Sequence, residues 1–147
     1  MKKRVLLADD HRGFREAVCA MLEREPGIEV VGAAGDGIEV LELVRSARPD
    51  VVVMDIHMPR LNGIEAIRQA AAACPSVKVI VFSVTSERFF ASEMLGAGAS
   101  GYVTKGDAHE LPRAIHAVMS GINYLSQEVG GTGTDPLHTG RLVDGAT

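Results

Sequence analysis

The sequence predicts an α/β domain in which short parallel strands are covered by helices on both faces. Two observations carry this. Short runs of Val, Ile and Leu alternate with longer stretches of helical period, the pattern of strands buried on both faces. In addition, Pro26-Gly27, Gly35-Asp36-Gly37 and Pro49 punctuate the chain where one unit gives way to the next.

Taken in order, the first strand is expected at Val5 to Ala8, and Phe14, Val18, Met21 and Leu22 then keep a helical spacing. Pro26-Gly27 turns the chain into a second strand, Glu29 to Ala33. Gly35-Asp36-Gly37 opens a second helix carrying Leu41 and Val44, and Pro49 ends it. Val51 to Met54 forms the third strand, followed by Ile64 and Ile67 on a helix. Val77 to Phe82 is the fourth, followed by Phe90 and Met94, and Gly101 to Thr104 is the fifth, followed by Leu111, Ile115 and Val118. The pattern stops after Ser126, and Gly130-Gly131-Thr132-Gly133-Thr134-Asp135-Pro136 has the composition of a flexible linker. A single domain over residues 1–126 is expected, with residues 127–147 as linker or tail and no output domain.

Composition narrows the function. A length of 147 residues with 46% hydrophobic content suits one ordinary core. The formal net charge of −4 argues against direct nucleic-acid binding, which needs clustered Lys and Arg. The apolar run behind Met1-Lys2-Lys3-Arg4 is too short for an export signal, and no stretch approaches a bilayer span, so a cytoplasmic protein without membrane contact is expected. Cys19 and Cys74 form no CxxC pair and read as buried free thiols. His109 and His116 share a helical face but lie two turns apart, too far to hold one ion, and read as surface residues. Phe89 and Phe90 should divide between an exposed position and the core.

In an open parallel sheet the functional crevice lies beyond the carboxyl ends of the strands. Asp9 and Asp10 follow the first strand, Asp55 the third, Ser83 the fourth and Lys105 the fifth, so all five should meet at one rim. A lone Asp in such a place is usually a helix cap or turn former. Three carboxylates crowded together repel, and a cation or a base relieves them. Mg²⁺ takes oxygen ligands and commonly one or two carboxylates, which suits Asp10 and Asp55 as direct ligands and Asp9 acting through water. Lys105 adds a compact positive charge, Ser83 a hydroxyl, and a carboxylate can attack phosphorus to give an acyl phosphate.

The local wording is Leu7-Ala8-Asp9-Asp10-His11, then Val53-Met54-Asp55-Ile56-His57-Met58-Pro59, then Asn62-Gly63-Ile64-Glu65, then Gly96-Ala97-Gly98-Ala99-Ser100-Gly101-Tyr102 ending in Thr104-Lys105. Over about Lys3 to Ser126 this resembles the receiver domains of bacterial two-component response regulators, and most of all the NarL/LuxR-like branch. The resemblance implies a flavodoxin-like, doubly wound, five-stranded parallel sheet of order 2-1-3-4-5 with five helices. It implies Asp55 as phosphoacceptor and Lys105 as partner of the phosphoryl group. Mg²⁺ would be held by Asp10, Asp55 and the backbone carbonyl of His57, with Asp9 behind them. Ser83 and Tyr102 would form the switch: the hydroxyl turns to the phosphoryl group and the aromatic ring swings inward. Partners implied are a sensor histidine kinase and a second copy in a homodimer. Such a domain is a signalling switch whose only catalysis is its own phosphotransfer and dephosphorylation, commonly the N-terminal part of a transcriptional regulator that reaches DNA through a C-terminal output domain. Two departures stand out: Arg12 where many relatives of that branch carry Pro, and Gly106 where Pro commonly follows the Lys.

Other classes fit less well. A phosphatase using an aspartyl phosphate needs a second acid two residues after the nucleophile, and His57 holds that place. A flavin or nucleotide binder needs a Gly, Ser or Thr-rich phosphate loop after the first strand, and Asp9-Asp10 is of the opposite electrostatic sign. A stand-alone receiver, or a pseudo-receiver acting only as a binding module, keeps the same fold and is the remaining alternative.

Overall fold

A computed structural model describes residues 2–130. Among them, six parallel strands alternate with five helices: β1 (Lys3–Ala8), α1 (Arg12–Glu23), β2 (Ile28–Ala34), α2 (Gly37–Ala47), β3 (Val51–Met54), α3 (Gly63–Ala73), β4 (Lys78–Ser83), α4 (Arg88–Gly96), β5 (Gly101–Thr104), α5 (Leu111–Met119) and β6 (Tyr124–Leu125). Short 3-10 turns occupy Lys105–Glu110 and Gln127–Val129.

The strands run in the order β2-β1-β3-β4-β5-β6. The expected five-stranded order is present, and β6 extends it by pairing Tyr124 with Gly101 and Leu125 with Tyr102. A two-residue strand has no periodicity to betray it in sequence.

Alternation along the strands separates two cores. Leu6, Ala8, Val52, Met54, Val79, Val81 and Tyr102 point to the face covered by α2, α3 and α4. Val5, Leu7, Val51, Val53, Ile80, Phe82 and Val103 point to the face covered by α1 and α5. Helices on both faces and strands closed to water explain the near-continuous apolar runs.

Local signals set the helix starts. His11, Asp36 and Asn62 each accept the backbone N–H three residues on, at Phe14, Glu39 and Glu65, which satisfies amide groups that the first turn leaves open. Arg48 closes α2 in a left-handed conformation (φ 47°) directly before Pro49. Gly37 is needed for a different reason: a Cβ there would lie 2.2 Å from the Arg60 carbonyl oxygen. Its N–H donates to the Pro59 carbonyl at 3.1 Å, so the start of α2 braces the loop that follows β3.

Several expectations need adjustment. Ser83 is the last residue of β4, paired with Thr104, rather than the first residue beyond it. Cys74 is buried, but Cys19 is only half-buried. His109 lies exposed in the 3-10 turn while half-buried His116 lies in α5, so the two do not share one helix. Phe89 is exposed and Phe90 packs on the core, as expected. Gln127–Val129, placed in the linker by sequence, forms a 3-10 turn with Val129 buried. The rest of that linker, residues 131–147, lies outside the described residues.

Candidate functional site

The carboxyl ends of β1, β3, β4 and β5 meet at one rim, and they deliver the five residues expected there. Main-chain hydrogen bonds carry the sheet ladder one step beyond the strands: Asp9 N–H donates to Ala34 and Asp55 N–H to Ala8, each at 2.9 Å. The main chain that carries both carboxylates is thereby held by the sheet. Each then accepts the backbone N–H two residues on, Asp9 from His11 at 2.8 Å and Asp55 from His57 at 2.9 Å. The same turn is used at two neighbouring strand ends.

Burial divides the acids. Asp9 and Asp55 are buried and Asp10 is exposed, yet the three each place an oxygen within 4.8 Å of the others. Lys105 reaches across from the end of β5, its Nζ 2.8 Å from Asp9 Oδ2 and 3.0 Å from Asp55 Oδ2. Three carboxylates facing one ammonium leave an excess of negative charge. Burial by itself lowers the pKa of Lys105, but its hydrogen bonds to and charge attraction from Asp9 and Asp55 outweigh that and hold it above the ordinary value. Asp9 Oδ2 is buried, and the Lys105 ammonium at 2.8 Å is its one close partner among the described residues.

Ser83 and Tyr102 lie behind the rim, both fully buried. Ser83 Oγ accepts the Thr85 N–H at 3.2 Å, and the Tyr102 hydroxyl donates to the Thr85 carbonyl at 2.8 Å. The Tyr102 ring meets Phe90 edge-on, with centroids 6.2 Å apart. Burial raises the pKa of Tyr102, so the hydroxyl stays a donor at neutral pH. With no exposed surface, the Tyr102 ring lies inward in this structure. The His57 side chain is exposed, and what it brings to the rim is its backbone.

A family model described as the response regulator receiver domain matches residues 5–116. The chain belongs to the response regulator receiver family. It is 41% identical over 129 residues to the transcriptional regulatory protein DegU of Brevibacillus brevis, a match covering 87% of this chain and 55% of that one. With the response regulator GacA of Pseudomonas aeruginosa the figures are 40% over 127 residues, 86% and 59%. This receiver thus spans rather more than half the length of the curated relatives it matches. Among solved structures, a LuxR-family two-component response regulator from Aurantimonas sp. SI85-9A1 aligns with a TM-score of 0.84 at 35% identity, covering 97% of this chain and all of that one. The isolated receiver domain of RcsB from Salmonella enterica serovar Typhimurium, solved with the phosphomimetic BeF3⁻, aligns at 0.80 with 25% identity over 88% of this chain and 97% of that one. The NarL/LuxR-like branch expected from the wording of the sequence is the one these relatives represent.

Parts of the receiver's surroundings escaped sequence reasoning. Thr85 serves through its backbone, which no side-chain pattern announces. Asp107, His109 and Glu110 also gather ligand atoms within 4.8 Å of one another. Their carboxylates are engaged in structure: Asp107 accepts the Glu128 N–H at 2.7 Å, and Glu110 accepts the Tyr124 hydroxyl at 2.7 Å and the Gln127 N–H at 3.2 Å. This second cluster anchors β6 and the turn after it.

Proposed function

We propose that this receiver accepts a phosphoryl group on Asp55 from a phosphohistidine of a sensor histidine kinase. The observation that carries the reading is the Lys105 ammonium set between Asp9 and Asp55, 2.8 and 3.0 Å from their oxygens. In the transfer an Asp55 oxygen forms a bond to phosphorus while the phosphorus–nitrogen bond to the imidazole breaks. The imidazole leaves with the electron pair and takes a proton, and Asp55 becomes an acyl phosphate that later hydrolyses slowly. Lys105, largely covered and already aimed, follows the negative charge from the Asp55 carboxylate to the phosphoryl oxygens.

The donor set fits Mg²⁺. It is all oxygen, it is gathered within 4.8 Å, and buried Asp9 Oδ2 has no partner but the Lys105 ammonium among the described residues. Asp10 and Asp55 would hold the ion with the His57 carbonyl, and Asp9 would act through water. Bound Mg²⁺ supplies Lewis-acid stabilisation of the phosphoryl oxygens. Ser83 then turns its hydroxyl from Thr85 toward the phosphoryl group, releasing one end of the loop between β4 and α4 and shifting the population of states at α4 and α5.

Residues 1–126 are the switch, and residues 127–147 lead toward an output domain that would read DNA, as part of a cytoplasmic transcriptional regulator able to form homodimers. Support comes from the relatives, which are longer and described as response or transcriptional regulators. Among the described residues no helix is long and apolar enough to cross a membrane.

The test is intact mass after incubation with acetyl phosphate, with and without Mg²⁺. One phosphoryl adduct is expected with Mg²⁺ and none in Asp55→Asn. An adduct that persists in Asp55→Asn, or forms equally well without the ion, overturns the assignment. A protein that takes up no phosphoryl group is a pseudo-receiver.

A further inference from the structure

The side chain that bridges the two acids has a second set of neighbours. Lys105 Nζ lies 5.1 Å from the centroid of the Phe14 ring and 5.9 Å from that of Phe82. The two rings stack on each other, with centroids 5.7 Å apart and planes 22° apart. Phe82 is fully buried on β4, and Phe14, half-buried, belongs to the first turn of α1.

Phe14 is also tied to the acids through the main chain. Its N–H donates to His11 Nδ1 at 3.2 Å, and the His11 N–H donates to Asp9 Oδ1 at 2.8 Å. Asp9, His11, Phe14 and Lys105 form a closed circuit of contacts that returns to Asp9. The cap of α1 therefore sets the place of an aromatic ring beside the ammonium.

A lysine is a strongly hydrated point charge on a flexible four-carbon stem, and left to itself it turns to water. At rest the two carboxylates hold it. During transfer that hold weakens, because the acids share their charge with a bound cation and Asp55 passes its own to the phosphoryl oxygens. An aromatic face attracts a cation through its quadrupole, which does not change with either event and competes for no metal.

We propose that Phe14 and Phe82 form an aromatic seat that keeps the Lys105 ammonium at the rim throughout phosphotransfer, with Phe14 as a positioning residue supplied by α1. The inference rests on the phosphoacceptor reading of Asp55. A Phe14→Leu variant keeps the apolar volume and loses the ring face; Phe14→Tyr keeps the face.

Two measurements test it. In the protein without donor or metal, the Lys105 ε-methylene protons should be shifted upfield by ring current in wild type and in Phe14→Tyr, and should move back toward the ordinary lysine position in Phe14→Leu. With acetyl phosphate and Mg²⁺, Phe14→Leu should phosphorylate more slowly by on the order of 3- to 10-fold, and Phe14→Tyr should recover most of that. In a Lys105→Ala background, Phe14→Leu should slow the reaction no further. An ordinary ε-methylene shift in wild type removes the seat, whatever the variants do. A wild-type rate in Phe14→Leu, or an equal loss in the Lys105→Ala background, removes its role in transfer. If wild type gains no adduct while its ε-methylene shift is upfield, the seat stands as geometry and the phosphoacceptor reading is what fails.

Discussion

Ser83 and Tyr102 hold one residue from its two ends: Ser83 Oγ takes the Thr85 N–H at 3.2 Å, and the Tyr102 hydroxyl binds the Thr85 carbonyl at 2.8 Å. The first residues of the loop between β4 and α4 are thereby clamped to two strands. Tyr102→Phe keeps the ring and removes one jaw, at an expected cost of about 1 kcal/mol. Hydrogen exchange should quicken along residues 84–87, and the rate of phosphorylation by acetyl phosphate should stay near wild type. Unchanged exchange there would remove Tyr102 from the switch.

Lys105 sets an alkaline limit. Its pKa is raised in the folded protein, because Asp9 and Asp55 together outweigh the effect of burial. A raised value means stability that is fully present below the ordinary lysine value of 10.5 and is lost as pH climbs through the higher folded value. Lys105→Met should cost roughly 2 kcal/mol at pH 7 by leaving two buried acids uncompensated, less than a fully buried pair because water reaches the lysine. Urea unfolding should show that deficit constant from pH 7 to about 10 and shrinking above it. A deficit that is the same at pH 11.5 would contradict the ion pair.

If the rim holds Mg²⁺ as proposed, its excess negative charge should make the ion a stabiliser. Unfolding free energy should rise by about 1.4 kcal/mol when free Mg²⁺ is ten times its dissociation constant. Asp10→Asn should raise stability in the absence of the ion by relieving repulsion, and should remove most of the response to it. A metal response of wild-type size in that variant would take Asp10 out of the ligand set.

Gly106 faces the Glu128 carboxylate: a Cβ there would lie 2.3 Å from Glu128 Oε2. Gly106→Ala should push Glu128 away and break its bond with the Thr104 hydroxyl, made at 2.8 Å, for about 1 kcal/mol. The loss should vanish in a Glu128→Ala background, which a thermal-unfolding cycle measures directly. Gly37→Ala is a harder insult, because the atom met is backbone. Overpacking there should cost about 1–3 kcal/mol and should also slow phosphorylation by moving the loop beyond Asp55.

The strands and the five-residue rim were legible because they depend on features that sequence displays, whereas the sheet order came from the family resemblance. Apolar runs mark strands buried on both faces, and polar residues that interrupt them mark the strand ends. What was hidden depends on contacts between distant positions. Phe14 has the helical spacing of any core residue, and only the fold brings its ring beneath Lys105. Thr85 acts through its peptide group, which every residue has. The Tyr124–Leu125 strand is too short to show a period, and the carboxylates of Asp107 and Glu110 that anchor it look in sequence like solvated charges. Cys19 reads as core from spacing, but its place on α1 leaves the thiol half-covered.

β6 lies against the outer side of β5, and its own outer side is two residues long. An unpaired strand edge is an invitation to another chain, and natural sheets blunt it with strands too short to template a ladder. Here little main chain remains on that side for a visiting strand to bind. Among the described residues, growth of the sheet by strand addition is therefore closed off at this edge, and a molecule that recognises this end would read side chains on helices and loops, the parts of the surface that the proposed phosphorylation would rearrange.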